Sequence, residues 1–155
     1  MIIYLGTDHA GFELKEKIKS YLQARPVKVE VIDCGAERFV DGDDYPKYMA
    51  DVARHIKEDA EHNPSLGIIF GGSGTGEAIV ANRFAHVRAV VYNGNDFEIV
   101  KLGREHNDCN VLSIGARFVN EKKTIEAVEM FLNTNFSHEE RHADRIIMIE
   151  ELSKN

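Results

Sequence analysis

The feature that most limits what this chain can fold into is a strict alternation of two hydrophobic periods. Five short apolar runs, "IIYLG", "VKVEVIDCG", "LGIIF", "RAVVY" and "NVLSIG", each end at or near a glycine. After each comes a stretch whose apolar residues fall at helical spacing. Leu14, Ile18, Tyr21 and Leu22 follow the first run, and Met49, Val52, Ala53 and Ile56 follow the polar segment after the second. A helix from about Thr75, another from about Asp96 to Glu105, and one carrying Ile125, Val128 and Leu132 complete five strand-helix units. "SHEERHADRIIMIEEL" predicts a last helix, with Ser137 as cap, Glu140 three residues on, and Ile146, Ile149 and Leu152 as its apolar stripe.

Right-handed crossovers lay each helix back on a parallel sheet. The expected architecture is therefore a doubly wound, three-layer α/β/α sandwich around a five-stranded parallel sheet, plus a C-terminal helix. With 155 residues and no repeat, linker or low-complexity tract, residues 1–155 form one domain. A formal net charge of −7 argues against binding nucleic acid or an anionic membrane, so an anionic ligand needs a local basic cluster. No apolar stretch approaches the roughly 20 residues of a membrane span, and "MIIYLGTDHAG" lacks a basic leader, so the expected compartment is the cytosol. Cys34 and Cys109 are the only cysteines and have no C-x-x-C spacing, which leaves disulfides and structural zinc without support.

Ligands of such sheets bind beyond the carboxyl ends of the strands. Those ends carry "GTDHAG", the loop before Tyr45, "GGSGTGE", "YNGND" and "GAR". The third is the richest, and three familiar motifs fail on it. A nucleotide phosphate loop needs Lys after its last glycine, where Glu77 follows Gly76. The dinucleotide pattern begins at Gly72 and Gly74 but meets Glu77 in place of its third glycine. A nucleophile elbow around Ser73 would close on glycine, and the residue there is Thr75. What remains is a run of backbone N–H groups able to converge on a small anion or a developing oxyanion. By itself Glu77 reads more simply as an acid complementing a helix dipole.

Taken together, "GTDHAGFELK", "DCGA", "DDYP", "GGSGTGE", "REHNDCNVLSIGAR" and "RHADRI" resemble the ribose-5-phosphate isomerase B family of sugar-phosphate isomerases over nearly the whole chain. The resemblance implies a homodimer or tetramer with active sites between subunits and a metal-independent, cofactor-free interconversion of phosphorylated aldoses and ketoses. One branch of that family uses a Cys in the glycine loop as base. The other has Ser there and a Glu four residues on, which Ser73 and Glu77 match. The segment "VVYNGNDFEIV" is about two residues longer than the family pattern, which bears on the preferred sugar.

The resemblance also distributes roles. Glu77 carries the proton between C1 and C2, while the main chain from Gly72 through Gly74 to Gly76, with the Ser73 and Thr75 hydroxyls, holds the enediolate oxygen. His106 protonates the ring oxygen as the sugar opens, imidazole being suited to proton transfer near neutrality, and Asn107 holds a hydroxyl. Arg117, Arg141 and Arg145, the last two at i and i+4, anchor the phosphate with His9. His142 is turned away from the Arg141/Arg145 face by helical geometry. Asp8 binds hydroxyls, and Asp44 and Tyr45 line the sugar region.

Two other readings compete. Asp8, Asp41, Asp43, Asp44 and Glu77 with His9 resemble a metal set, but "DGDDYP" lacks the calcium-loop register, so no metal is expected. A non-catalytic phosphate-binding module would use the same loop, where Glu77 would repel the ligand.

Overall fold

The computed structural model describes residues 1–94 and 96–152. Its elements run β1 (Ile2–Thr7), α1 (Phe12–Ala24), β2 (Glu30–Asp33), α2 (Tyr45–Asp59), β3 (Leu66–Gly71), α3 (Thr75–Ala81), β4 (Ala89–Tyr92), α4 (Glu98–Asn107), β5 (Val111–Gly115), α5 (Glu121–Asn133) and α6 (Glu140–Leu152). The five strands form one sheet in the order β2-β1-β3-β5-β4, and every pairing is parallel. The expected α/β/α sandwich is therefore the observed fold.

Strand alternation builds the two cores. Ile3, Leu5, Ile68, Phe70, Leu112 and Ile114 face Leu14, Ile18 and Leu22 of α1, Val100 of α4, and Ala127, Val128 and Phe131 of α5. The intervening residues Tyr4, Ile69 and Val111 face Met49, Val52, Ala53 and Ile56 of α2 and Ala81 of α3. Helices thus cover both faces, and among the described residues no helix is long and apolar enough to cross a membrane.

The differences from expectation lie at element ends. β2 starts only at Glu30, because its sole neighbour β1 offers partners from Ile2 onward, and Val27 is left exposed. α4 starts at Glu98, two residues late, with the Asp96 carboxylate accepting the Glu98 N–H at 3.0 Å. Ser137 is not the cap of α6. Its Oγ accepts from the Glu139 N–H, and the Glu139 carbonyl accepts the first bonds, from His142 and Ala143. The stripe expected of that helix also differs, since Ile149 and Leu152 are exposed together with Ile147 and Met148, and His142 is its buried residue.

One buried ion pair fixes the functional end of the sheet. Lys15 is 0% exposed, and its Nζ donates to both Asp33 oxygens and to the Ala36 carbonyl, each at 2.8 Å. The segment so held pairs with the end of β1: Thr7 N–H donates to Gly35 O at 2.8 Å, and Ala36 N–H to Thr7 O at 2.9 Å. Burial works against the Asp33 charge, but the hydrogen bonds from Lys15 and Lys19 outweigh it and hold the carboxyl below its ordinary range. The stability this lends is present above the unfolded Asp value and is lost as pH falls through the lower folded value. Replacing Lys15 by Met removes the buried donor and leaves Asp33 with only Lys19 and the Gly35 N–H. Urea denaturation should show a loss of about 3 kcal/mol at pH 7, shrinking toward about pH 3 as Asp33 is protonated.

Candidate active site

Strand order reverses between β1 and β3, and there Thr7 lies in register with Phe70. This brings the turn after β1, with Asp8 and His9, beside the glycine loop after β3. The loop is shaped by contacts that exclude side chains. Gly74 has φ +78° and lies under the main chain of Ser113 to Gly115, and its carbonyl accepts from Ser113 Oγ at 2.6 Å. A Cβ on Gly71 would overlap the Glu77 carboxylate, and one on Gly76 would stand 2.6 Å from the Tyr45 hydroxyl.

Glu77 sits in the first turn of α3, wedged against the Gly71 backbone and only 4% exposed. Its Oε2 has no hydrogen-bond partner among the described residues. Burial pushes its pKa above the usual carboxylate range, the negative charge of Asp8 adds to this, and the main-chain N–H groups of Glu77 and Gly74 oppose it. Such a carboxylate is a stronger base than one in water, and its free oxygen is available to a ligand. Ser73 and Thr75 are exposed at the mouth, with Ser73 Oγ accepting the Thr75 N–H at 3.2 Å. Arg117 donates its main-chain N–H to Gly72 O at 3.1 Å, and its guanidinium lies 3.4 Å from the place a Gly72 Cβ would take.

On the opposite side of this opening, Asp8 is buried and its Oδ1 accepts the Ala10 N–H at 2.9 Å. Asp43 Oδ1 accepts the His9 main-chain N–H at 2.7 Å and lies 3.1 Å from His9 Nδ1. Asp44, named from the sequence, is exposed and makes no side-chain cap bond, while its neighbour Asp43 turns inward. Nothing in the spacing of the "DGDDYP" run distinguishes the two; only the loop geometry does. Asp8, His9 and Asp43 could each offer a metal-ligating atom within 4.8 Å of the others. Here His9 Nδ1 and one oxygen of each acid are engaged in hydrogen bonds, while Asp43 Oδ2 is buried with no hydrogen-bond partner among the described residues.

The remaining residues lie elsewhere. α4 runs back from the carboxyl end of β4, so His106 and Asn107 arrive at the amino edge of the sheet, just before β5. Arg88, which precedes β4, ties that end down by donating from Nε to the Asn107 and Asp108 carbonyls at 3.0 Å each. His142 of α6 stacks on His106, ring centroids 4.2 Å apart and planes 11° from parallel. It is turned away from Arg141 and Arg145, as helical geometry implies, and its burial and the nearby His106 hold its pKa low. Arg141 and Arg145 are exposed, and Arg141 Nε donates to Glu139 at 2.9 Å. Within one chain, then, His9 and Arg117 stand at one end of the sheet and Arg141, Arg145, His106 and Asn107 at the other. The length of β3, roughly 16 Å at the usual rise, separates the two groups. Of the longer segment "YNGND", Asn95 lies outside the described residues.

Comparisons with known proteins bear on what this arrangement does. The chain is 37% identical over 154 residues to ribose-5-phosphate isomerase B of Mycolicibacterium paratuberculosis, covering 99% of this chain and 92% of that protein. The solved structure of ribose-5-phosphate isomerase B from Clostridium thermocellum superposes with a TM-score of 0.90 at 34% identity, covering 99% of this chain and 98% of that one. That of the Mycoplasma genitalium enzyme with bound ribulose-5-phosphate gives 0.90 at 32%, covering 99% and 97%. With a family model described as Ribose/Galactose Isomerase matching residues 3–149, the chain belongs to the ribose/galactose isomerase family and is an isomerase.

Proposed function

We propose that the chain interconverts ribose 5-phosphate and ribulose 5-phosphate through an enediolate. The observation that carries this reading is Glu77: a buried carboxylate with a free oxygen and a raised pKa, set beneath a loop of main-chain N–H groups. The relatives named above support the substrate. Glu77 removes the proton from C2 of the aldose and returns it to C1 while the O2 hydroxyl proton passes to O1, so that the carbonyl moves from C1 to C2. The developing negative charge on oxygen falls to the N–H groups of Gly72, Gly74 and Gly76 and to the Ser73 and Thr75 hydroxyls. Asp8 and Tyr45 meet sugar hydroxyls, and His9 and Arg117 receive the phosphate, which carries about −1.5 to −2 at neutral pH.

The second group completes the site from a neighbouring copy of the chain. His106 opens the ring by protonating its oxygen, Asn107 holds a hydroxyl, and Arg141 and Arg145 close over the phosphate. Their distance from Glu77 within one chain supports this reading, as does the exposed apolar surface of α6, at Ile147, Met148 and Leu152, where a second copy could pack. In this reading the enzyme is a cytosolic homodimer or a pair of dimers, working without a metal or cofactor.

Two experiments follow. Glu77→Gln should lower kcat for ribose 5-phosphate by about 10²- to 10⁴-fold, while calorimetry still detects the sugar phosphate binding; unchanged turnover would remove Glu77 as the base. In the native enzyme the acid limb of kcat/KM should lie above the ordinary Glu value of 4.5, since the base works only when ionised. Galactose 6-phosphate assayed alongside tests the choice of sugar. Co-expressing Glu77→Gln with His106→Asn tests the shared site. Each variant alone is defective, but random pairing leaves one intact site of two in half the dimers, so activity should recover to about a quarter of native. Failure of mixed dimers to recover activity would mean that both residues come from one chain.

A further inference from the structure

The anion end of this site has an internal conflict of charge. Asp8 and Glu77 are buried beside the opening, and their negative charges disfavour the ligand that His9 and Arg117 are assigned to hold. A neutral imidazole at His9 would add a hydrogen bond but no compensating charge.

We propose that Asp43 is the positioning residue of the phosphate end: its carboxylate takes both the main-chain N–H and Nδ1 of His9, so that the ring is locked with Nε2–H turned to the ligand and stays cationic as the phosphate docks. Asp43 has only 3% of its side chain exposed, and the His9 side chain keeps 26%. Two bonds from one residue to one carboxylate fix both the ring's place and its tautomer, because Nδ1 must carry its proton to reach Asp43. Nε2 then has no other partner among the described residues and is the nitrogen left for a ligand.

The electrostatics run the same way. His9 is held above the ordinary imidazole value of 6.5, chiefly by its hydrogen bond to Asp43, with burial opposing and the charge of Asp8 adding. Asp43 in turn stays ionised. Burial disfavours its charge, but the main-chain N–H of His9, the Tyr48 hydroxyl and the His9 ring outweigh this and lower its pKa. The groups acting on the ring are Asp8, from its own turn, and Asp43, from the loop before α2. From α2, Tyr48 and Lys47 act on Asp43 itself. With a folded pKa above the free value, the His9 charge persists to higher pH than an isolated imidazole would allow and is lost as pH rises through that folded value.

This inference rests on His9 being part of the phosphate anchor, and its test separates the two ideas. The His9 ring is followed by NMR in the intact enzyme and in Asp43→Asn, and KM for ribose 5-phosphate is measured from pH 6 to pH 8.5. The expected result is a lower His9 pKa in Asp43→Asn, with KM raised about tenfold at pH 8 and close to native at pH 6, where the ring is protonated again, and kcat little changed. A His9 pKa unaltered by Asp43→Asn overturns the proposal outright. A lowered pKa with KM unmoved at every pH also overturns it and places the error in the anchor role of His9. Should Asp43→Asn not fold, the native enzyme decides: a His9 ring titrating at or below 6.5, or carrying its neutral-state proton on Nε2, rules the proposal out.

Discussion

The parallel pairing of β1 with β3 is the interaction on which the rest depends. It sets Thr7 opposite Phe70, and the buried Thr7 hydroxyl spans the junction between Asp8 O at 2.9 Å and Phe70 O at 3.2 Å. Asp8 leaves one strand and the glycine loop leaves the other at the same height, with helices departing to opposite faces. A one-residue slip would exchange the faces of Ile68, Ile69 and Phe70 and break both cores together, so the register is fixed by burial well away from the chemistry. The Lys15 clamp then holds the neighbouring turn at Gly35 and Ala36 against Thr7, so three loops share one rigid footing.

That footing carries a deliberate imbalance. An acidic protein meeting an anionic ligand would gain from an all-cationic pocket, yet this one keeps two carboxylates under cover at the mouth. The proton-transfer reading accounts for Glu77. Its neighbour Asp8 disfavours the ionised base and so strengthens it. In the proposed reading the cations stand further out, on His9, Arg117 and the exposed arginines of α6, and meet a phosphate without neutralising the carboxylate that accepts the proton.

Much of this was legible in the sequence, for identifiable reasons. A fully parallel sheet imposes two hydrophobic periods that do not mimic each other, so five strands and six helices could be read from side-chain spacing. Of the glycines in "GGSGTGE", Gly71, Gly74 and Gly76 stand where a side chain would strike a neighbour, and Gly72 does not. Less visible was anything set by a loop's path. Asp43 and Asp44 are adjacent and chemically alike, and which one turns inward depends on the route from Val40 to Tyr45. Nor does spacing reveal that His142 stacks on His106, since the contact joins helices of different origin. The proposed phosphate anchor looked like one cluster because sequence has no record of which end of a sheet a helix reaches. The chain direction of α4 and α6 supplies that record, and it divides the anchor between two ends.

The wedging of Glu77 against the Gly71 backbone has a consequence for the timing of entropy loss. A glutamate at a surface samples three side-chain torsions and must surrender most of that freedom when a ligand arrives. Here the freedom is given up when the chain folds, because the carboxylate fills the space a Cβ on Gly71 would occupy and has nowhere to swing. If Glu77 is the base, as proposed, binding orders only the sugar and the reacting oxygen is already held at a fixed depth. The protein is less stable for holding an unsatisfied carboxylate in that position, and the cost falls on folding rather than on each turnover.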